Sequence, residues 1–139
     1  GHIAKAAANL FKFLNLDVTV IDDRKDFITE KDFPGIKKII MDFSEIDCID
    51  IRKSDYVCIM TRGHQHDITV LESVLKKEPY YIGVVGNKYK AVSYKASFQF
   101  LSEDIFFFTI DLNELPNVLS QILQKHCFQT AESKESLTL

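Results

Sequence analysis

The sequence predicts a three-layer α/β domain with a mainly parallel sheet, and three observations carry that prediction. Short apolar runs rich in β-forming residues alternate with segments of helical spacing along the chain. Two of the runs end in polar, glycine-bearing turns that lead into helical patterns. Residues 56–90 read as strand, loop, helix, strand, loop, which is a βαβ unit whose crossover is right-handed in nearly all cases.

At 139 residues the chain is expected to form one domain with a proper core, over residues 1–127, followed by a polar, disordered tail at 128–139. A hydrophobic content of 46% beside 27% charged residues is ordinary for a globular protein and argues against wholesale disorder. The net charge of −3 and the lack of a basic stripe argue against a nucleic-acid partner. No apolar run approaches the roughly 20 residues of a membrane helix, and the chain does not open on a signal-peptide pattern. Cys48, Cys58 and Cys127 are scattered and odd in number, which points to a reduced, cytoplasmic compartment.

Ile3, Ala7, Leu10 and Leu14 share one face of an opening helix, with Ala6, Phe11 and Phe13 widening it. Val18 to Ile21 is β-branched and reads as a buried strand ending at Asp22-Asp23-Arg24. Lys25 to Gly35 is polar, broken by Pro34-Gly35, and reads as a loop with one helical turn. Ile36 to Met41 reads as a short strand, and Phe43 to Ile51 as a loop or irregular helix. Tyr56 to Met60 is a strand candidate too short for a helix. Ile68, Leu71, Val74 and Leu75 then repeat at helical spacing, and Glu78-Pro79 closes that helix. Tyr80 to Val85 is the next strand, ending in Gly86-Asn87-Lys88. Beyond it, Tyr89, Val92, Ala96 and Phe100 suggest a helix, Ile105 to Ile110 a strand, and Glu114 to Cys127 an amphipathic helix.

A dinucleotide-binding fold places an acid about 20 residues after its glycine turn, at the end of its second strand. Asp22 stands there relative to Gly1. Gly1 and Ala4 match the last two positions of a G-x-G-x-x-G/A fingerprint whose first glycine would lie ahead of Gly1. The fold is therefore expected to be Rossmann-like, with its first strand missing. That strand is normally central. Either the chain is cut ahead of it, or another strand or another chain fills the gap.

The segments MTRGHQHDITVLESVL and YYIGVVGNKYK resemble the C-terminal Rossmann-like domain of the xanthine dehydrogenase accessory protein (XdhC/CoxI) family. That family shows Met-Thr-x-Gly-His-x-x-Asp, then Tyr-Ile-Gly-x-x-Gly-Ser followed by basic residues. The resemblance begins at GHIAKAAANLFKFLNLDVTVIDDR and covers roughly residues 1–90. The family's later Pro-Ile-Gly turn and threonine-rich helix start have no counterpart here.

Within Gly63-His64-Gln65-His66-Asp67, two imidazoles and a carboxylate could ligate a divalent metal. A structural cap by Asp67 on the following helix is the favoured reading. Better than metal is an anion held by the loop amides, the helix start and Arg62, such as a phosphate. This agrees with the resemblance, which implies a phosphorylated pterin. Gly86-Asn87-Lys88 is a second such turn, with Asn87 where the family has Ser; Lys88 and Lys90 are equally well read as solvated surface lysines. Asp22 would favour a free ribose hydroxyl over a 2′-phosphate, a preference Arg24 would soften. Cys58 reads as a packed core thiol, and no residue is assigned to catalysis.

The resemblance thus implies a maturation factor, a cofactor-binding chaperone more than a catalyst. It would bind the molybdenum cofactor (molybdopterin) for sulfuration and insertion into a xanthine dehydrogenase-type molybdenum hydroxylase, with a cysteine desulfurase as a second partner. Binding would involve Gly1, His2, Ala4, Asp22, Arg62, Gly63, His64, Asp67, Gly86, Asn87 and Lys88. A homo-oligomer is also open. The alternatives are an NAD(P)-binding oxidoreductase, for which His64 or His66 would have to move the proton, and a docking module that binds nothing small.

Overall fold

A computed structural model of the 139-residue chain describes residues 1–62 and 66–85, together with the strand backbone of residues 105–108 and 136–138. In order these are α1 (His2–Phe13), β1 (Asp17–Asp22), a short 3-10 helix (Lys25–Phe27), β2 (Lys37–Ile40), a second 3-10 helix (Phe43–Cys48), β3 (Tyr56–Ile59), α2 (Asp67–Leu75), β4 (Tyr81–Val85), β5 (Ile105–Phe108) and β6 (Ser136–Thr138). The strands form one sheet in the order β2-β1-β6-β3-β4-β5, and every described pairing is parallel. The expected parallel α/β architecture is therefore present, with β3-α2-β4 as its βαβ unit.

Period-two alternation sends successive strand residues to opposite faces. Tyr56 and Cys58 join Val18, Val20, Phe33 and Tyr81 in a core with Ala7, Ala8 and Phe11 of α1. Val57 and Ile59 join Ile21, Ile82 and Val84 in a second core with Val70, Leu71 and Val74 of α2 and with Phe43 and Ile46. These two cores, one on each face, make the three layers.

Three expectations need correction. The buried face of α1 is Ala4, Ala7, Ala8 and Phe11, whereas Phe13 is 85% exposed and Leu14 is also exposed. Alanines allow the helix backbone close to the sheet, and that close approach turns the bulkier neighbouring stripe away. The helix stops because Asn15 adopts φ 63°; its N–H reaches the Lys12 carbonyl and that of Leu16 the Phe11 carbonyl, a Schellman closure. Ile68, read as part of the buried stripe of α2, is 41% exposed.

The third correction concerns the tail. Residues 136–138, expected to be disordered, form β6 and take the central position that the missing first strand would occupy. β6 pairs Ser136, Leu137 and Thr138 with Asp17, Val18 and Thr19 of β1, and Leu137 and Thr138 with Tyr56 and Val57 of β3. Beyond Thr138, among the described residues, β1 pairs only with β2 and β3 only with β4. The helices expected at residues 89–100 and 114–127 lie outside the described residues. Among those described, no helix is long and apolar enough to cross a membrane.

Candidate functional site

Where β6 stops, the carboxyl halves of β1 and β3 stand apart, and a cavity of about 420 Å³ opens between them. This is the crevice outside the carboxyl ends of the strands, where open parallel sheets take their ligands. Its floor is apolar, with Val20, Ile21, Cys58, Ile59, Phe43 and Ile46 among the lining residues. Its rim is polar, with Asp22, Asp23 and Arg24 at the end of β1 facing Thr61, Arg62 and His66 after β3.

Gly1 and Ala4, at the start of α1, also line it, so these two residues share one cavity with Asp22 and Arg62. Gly1 is the N-cap of α1, and a Cβ added there would meet no atom within 4 Å. His2 is exposed and does not line the cavity.

Asp67 is also placed away from the rim. It is the first residue of α2, with no solvent exposure, and accepts a hydrogen bond from the Thr61 hydroxyl. The N-cap of α2 is His66, whose side chain makes no capping bond and packs its ring 5.2 Å from that of Phe43. Asp67 therefore ties the turn after β3 to α2 from a position without solvent exposure. Gly63, His64, Gly86, Asn87, Lys88 and Lys90 lie outside the described residues.

Asp22 is engaged by Arg24 from the same strand end. Its Oδ1 accepts from Arg24 Nε at 2.9 Å and from the Arg24 main-chain N–H at 3.0 Å, while Oδ2 accepts from Nη2 at 3.0 Å. Burial pushes the Asp22 carboxyl up, but the hydrogen bonds from Arg24 outweigh it and hold the carboxyl below its ordinary value. The fork is fixed further by Asp23, 3.4 Å from Arg24 Nε, and by Phe27, whose ring centroid lies 4.0 Å from the guanidinium carbon. An acid engaged this fully is a poor acceptor for a ribose diol. The D-x-R spacing at a strand end was the available signal, since residues two apart on a strand point the same way.

This pair makes stability depend on pH in a set direction. A carboxyl whose folded pKa lies below its unfolded value stabilises fully above the ordinary carboxylate range, and that contribution is lost as pH falls through the folded pKa. The difference in urea midpoint between the wild type and Asp22→Asn should be full at about pH 6 and shrink below about pH 4. A difference independent of pH would mean that the charge of Asp22 is not what holds Arg24.

Cys58 lines the cavity floor but is 3% exposed, and burial pushes its thiol up to about 12. It is a core thiol, as expected, and not a nucleophile at neutral pH. Cys48 is exposed.

A family model described as the XdhC Rossmann domain matches residues 1–104. Among solved structures, the chain is similar to a protein from Bacillus halodurans described as a xanthine dehydrogenase, with 23% sequence identity and a TM-score of 0.72. The similarity covers 93% of this chain and 41% of that one, so this chain spans well under half the length of that protein. At such identity the likeness shows the fold alone. No curated protein matches.

Proposed function

Taking as premise that this chain belongs to the XdhC Rossmann domain family, we propose that it is an accessory factor that binds the molybdenum cofactor on behalf of a xanthine dehydrogenase-type enzyme. The observation that carries this reading is the single cavity shared by the opening of α1, the end of β1 and the turn after β3.

The residues present fit such a group. A volume of about 420 Å³ falls within the range of small-molecule sites, roughly 300–1,000 Å³. The apolar floor suits the body of a pterin. Arg62, on the lip after β3, suits its phosphate, and Asp23, Thr61 and His66 offer polar contacts along the rim. The cofactor, when bound, supplies molybdenum redox chemistry for the recipient enzyme. This chain's residues bind it, orient it and keep water from its apolar side, so the role is holding and transfer while a sulfido ligand is installed. The partners are the recipient hydroxylase and a cysteine desulfurase as sulfur source. The turns holding Gly63 and His64, and Gly86, Asn87 and Lys88, belong to the proposed site through the family resemblance.

NAD(P) binding is the second reading, favoured by Gly1 and Asp22 on the same rim. The engagement of Asp22 by Arg24 weighs against a free ribose there. Titration of the chain with molybdenum cofactor, NADH and NADPH separates the two. Arg62 is exposed, so Arg62→Glu should leave the fold intact and weaken cofactor binding about tenfold or more. Binding of a nicotinamide nucleotide alone, unchanged by Arg62→Glu, would favour the second reading. No binding of any of the three would leave a docking module.

A further inference from the structure

Arg24 is held in a way that a rim cation binding only by charge does not require. Its guanidinium is fixed in plane by the two-point fork to Asp22, with N···O distances of 2.9 and 3.0 Å. One face of that plane lies over Phe27, whose ring centroid is 4.0 Å away. Arg24 lines the cavity and Phe27, which covers one side of its guanidinium, does not, so the side away from Phe27 is the one a cavity ligand can meet. A guanidinium is planar, delocalised and weakly hydrated, and it stacks on aromatic faces where an ammonium would remain solvated.

We infer that Arg24 is a stacking platform for a planar nitrogen heterocycle, a pterin or a purine, at the β1 side of the cavity, with Asp22 as its positioning residue. A ring laid on the inner face completes a sandwich of Phe27, guanidinium and ligand. Asp23, on the same rim, supplies an acceptor for an amino group at the ring edge. The acid at the end of β1 thus orients an arginine, and the arginine meets the ligand. This deepens the reading above, and rests on it only for the pterin as one source of the ring.

The test uses three probes on the 139-residue chain. Neopterin carries a pterin ring, AMP a purine, and ribose 5-phosphate neither; binding is followed by pterin fluorescence and by calorimetry. The variants are Arg24→Lys, which keeps the charge and loses the plane, and Phe27→Ala, which removes the backing at a residue that is 47% exposed. Thermal unfolding monitors the fold of each. At least one ring probe should bind the wild type and weaken about fivefold or more in both variants, with ribose 5-phosphate unchanged. Ring binding unaltered in folded Arg24→Lys overturns the platform, as does an equal loss for ribose 5-phosphate, or failure of both rings to bind the wild type. The two readings fail separately. Neopterin bound equally well by wild type and Arg24→Lys sinks the platform and leaves cofactor binding standing. AMP weakened by both variants, with neopterin never bound, upholds the platform and removes the cofactor reading.

Discussion

Replacing Asp67 by alanine is expected to destabilise the domain by about 3 kcal/mol, the scale for removing a buried hydrogen-bond acceptor and leaving its donors unmet. Asp67 has no solvent exposure and accepts from the Thr61 hydroxyl across the turn that joins β3 to α2. Thr61→Val should lose less, about 1 kcal/mol, because it removes one donor and leaves the carboxylate its other contacts. Urea denaturation of both variants measures this. The result also settles how Asp67 bears on function. A buried anchor acts on ligand binding only through the shape of the turn, so Asp67→Ala should lose stability and binding together. Lost binding with unchanged stability would return Asp67 to the ligand-contacting set.

The second large effect is expected from Leu71→Ala, a loss of about 3 kcal/mol within the usual span of 2–5 for a buried leucine. Leu71 has no solvent exposure, and on its face of the sheet it packs in one core with Val57, Ile59 and Val84 as well as Phe43 and Ile46. The loss combines the transfer free energy of the removed methyl groups with the cavity left behind. Rigid strand neighbours can fill that cavity only in part. The slope of the urea curve should be unchanged, because the surface exposed on unfolding hardly alters. A loss under about 1 kcal/mol would mean that α2 can settle onto the sheet without this side chain.

Much of the fold could be read from residue patterns, and the exceptions have physical causes. β3, α2 and β4 were legible because Tyr56–Ile59 and Tyr81–Val85 are unbroken apolar runs, buried throughout, separated by a helical repeat. The buried face of α1 was misjudged because alanine scores weakly as an apolar marker, yet Ala4, Ala7 and Ala8 are the residues small enough to sit against the sheet. β6 was illegible. Ser136-Leu137-Thr138 lies in a polar tail, and what makes it a strand is the pair of edges it enters. Dependence on non-local partners is the ordinary weakness of strand propensity.

The candidate site divides in the same way. Gly1, Ala4, Asp22 and Arg62 could be proposed because crevice position follows from topology, and topology follows from the order of elements. The inward burial of Asp67 and the fork between Asp22 and Arg24 could not. Each depends on which of several rotamers a side chain adopts once its neighbours are in place. His66, Thr61 and the floor residues Phe43 and Ile46 come from segments too irregular to be placed by periodicity.

The position of β6 also has a kinetic consequence. Among the described strands, β2 and β1 on one side and β3, β4 and β5 on the other meet only through Ser136–Thr138. Each half can begin to form from nearby sequence, but the join must wait until the chain has been synthesised to residue 138. Contacts of such long sequence separation slow folding. In the interval, the inner edges of β1 and β3 are open strand edges, the kind of surface on which nascent chains associate wrongly. The same parting of the sheet that leaves room for a ligand therefore lies at the join of longest sequence separation among the described strands.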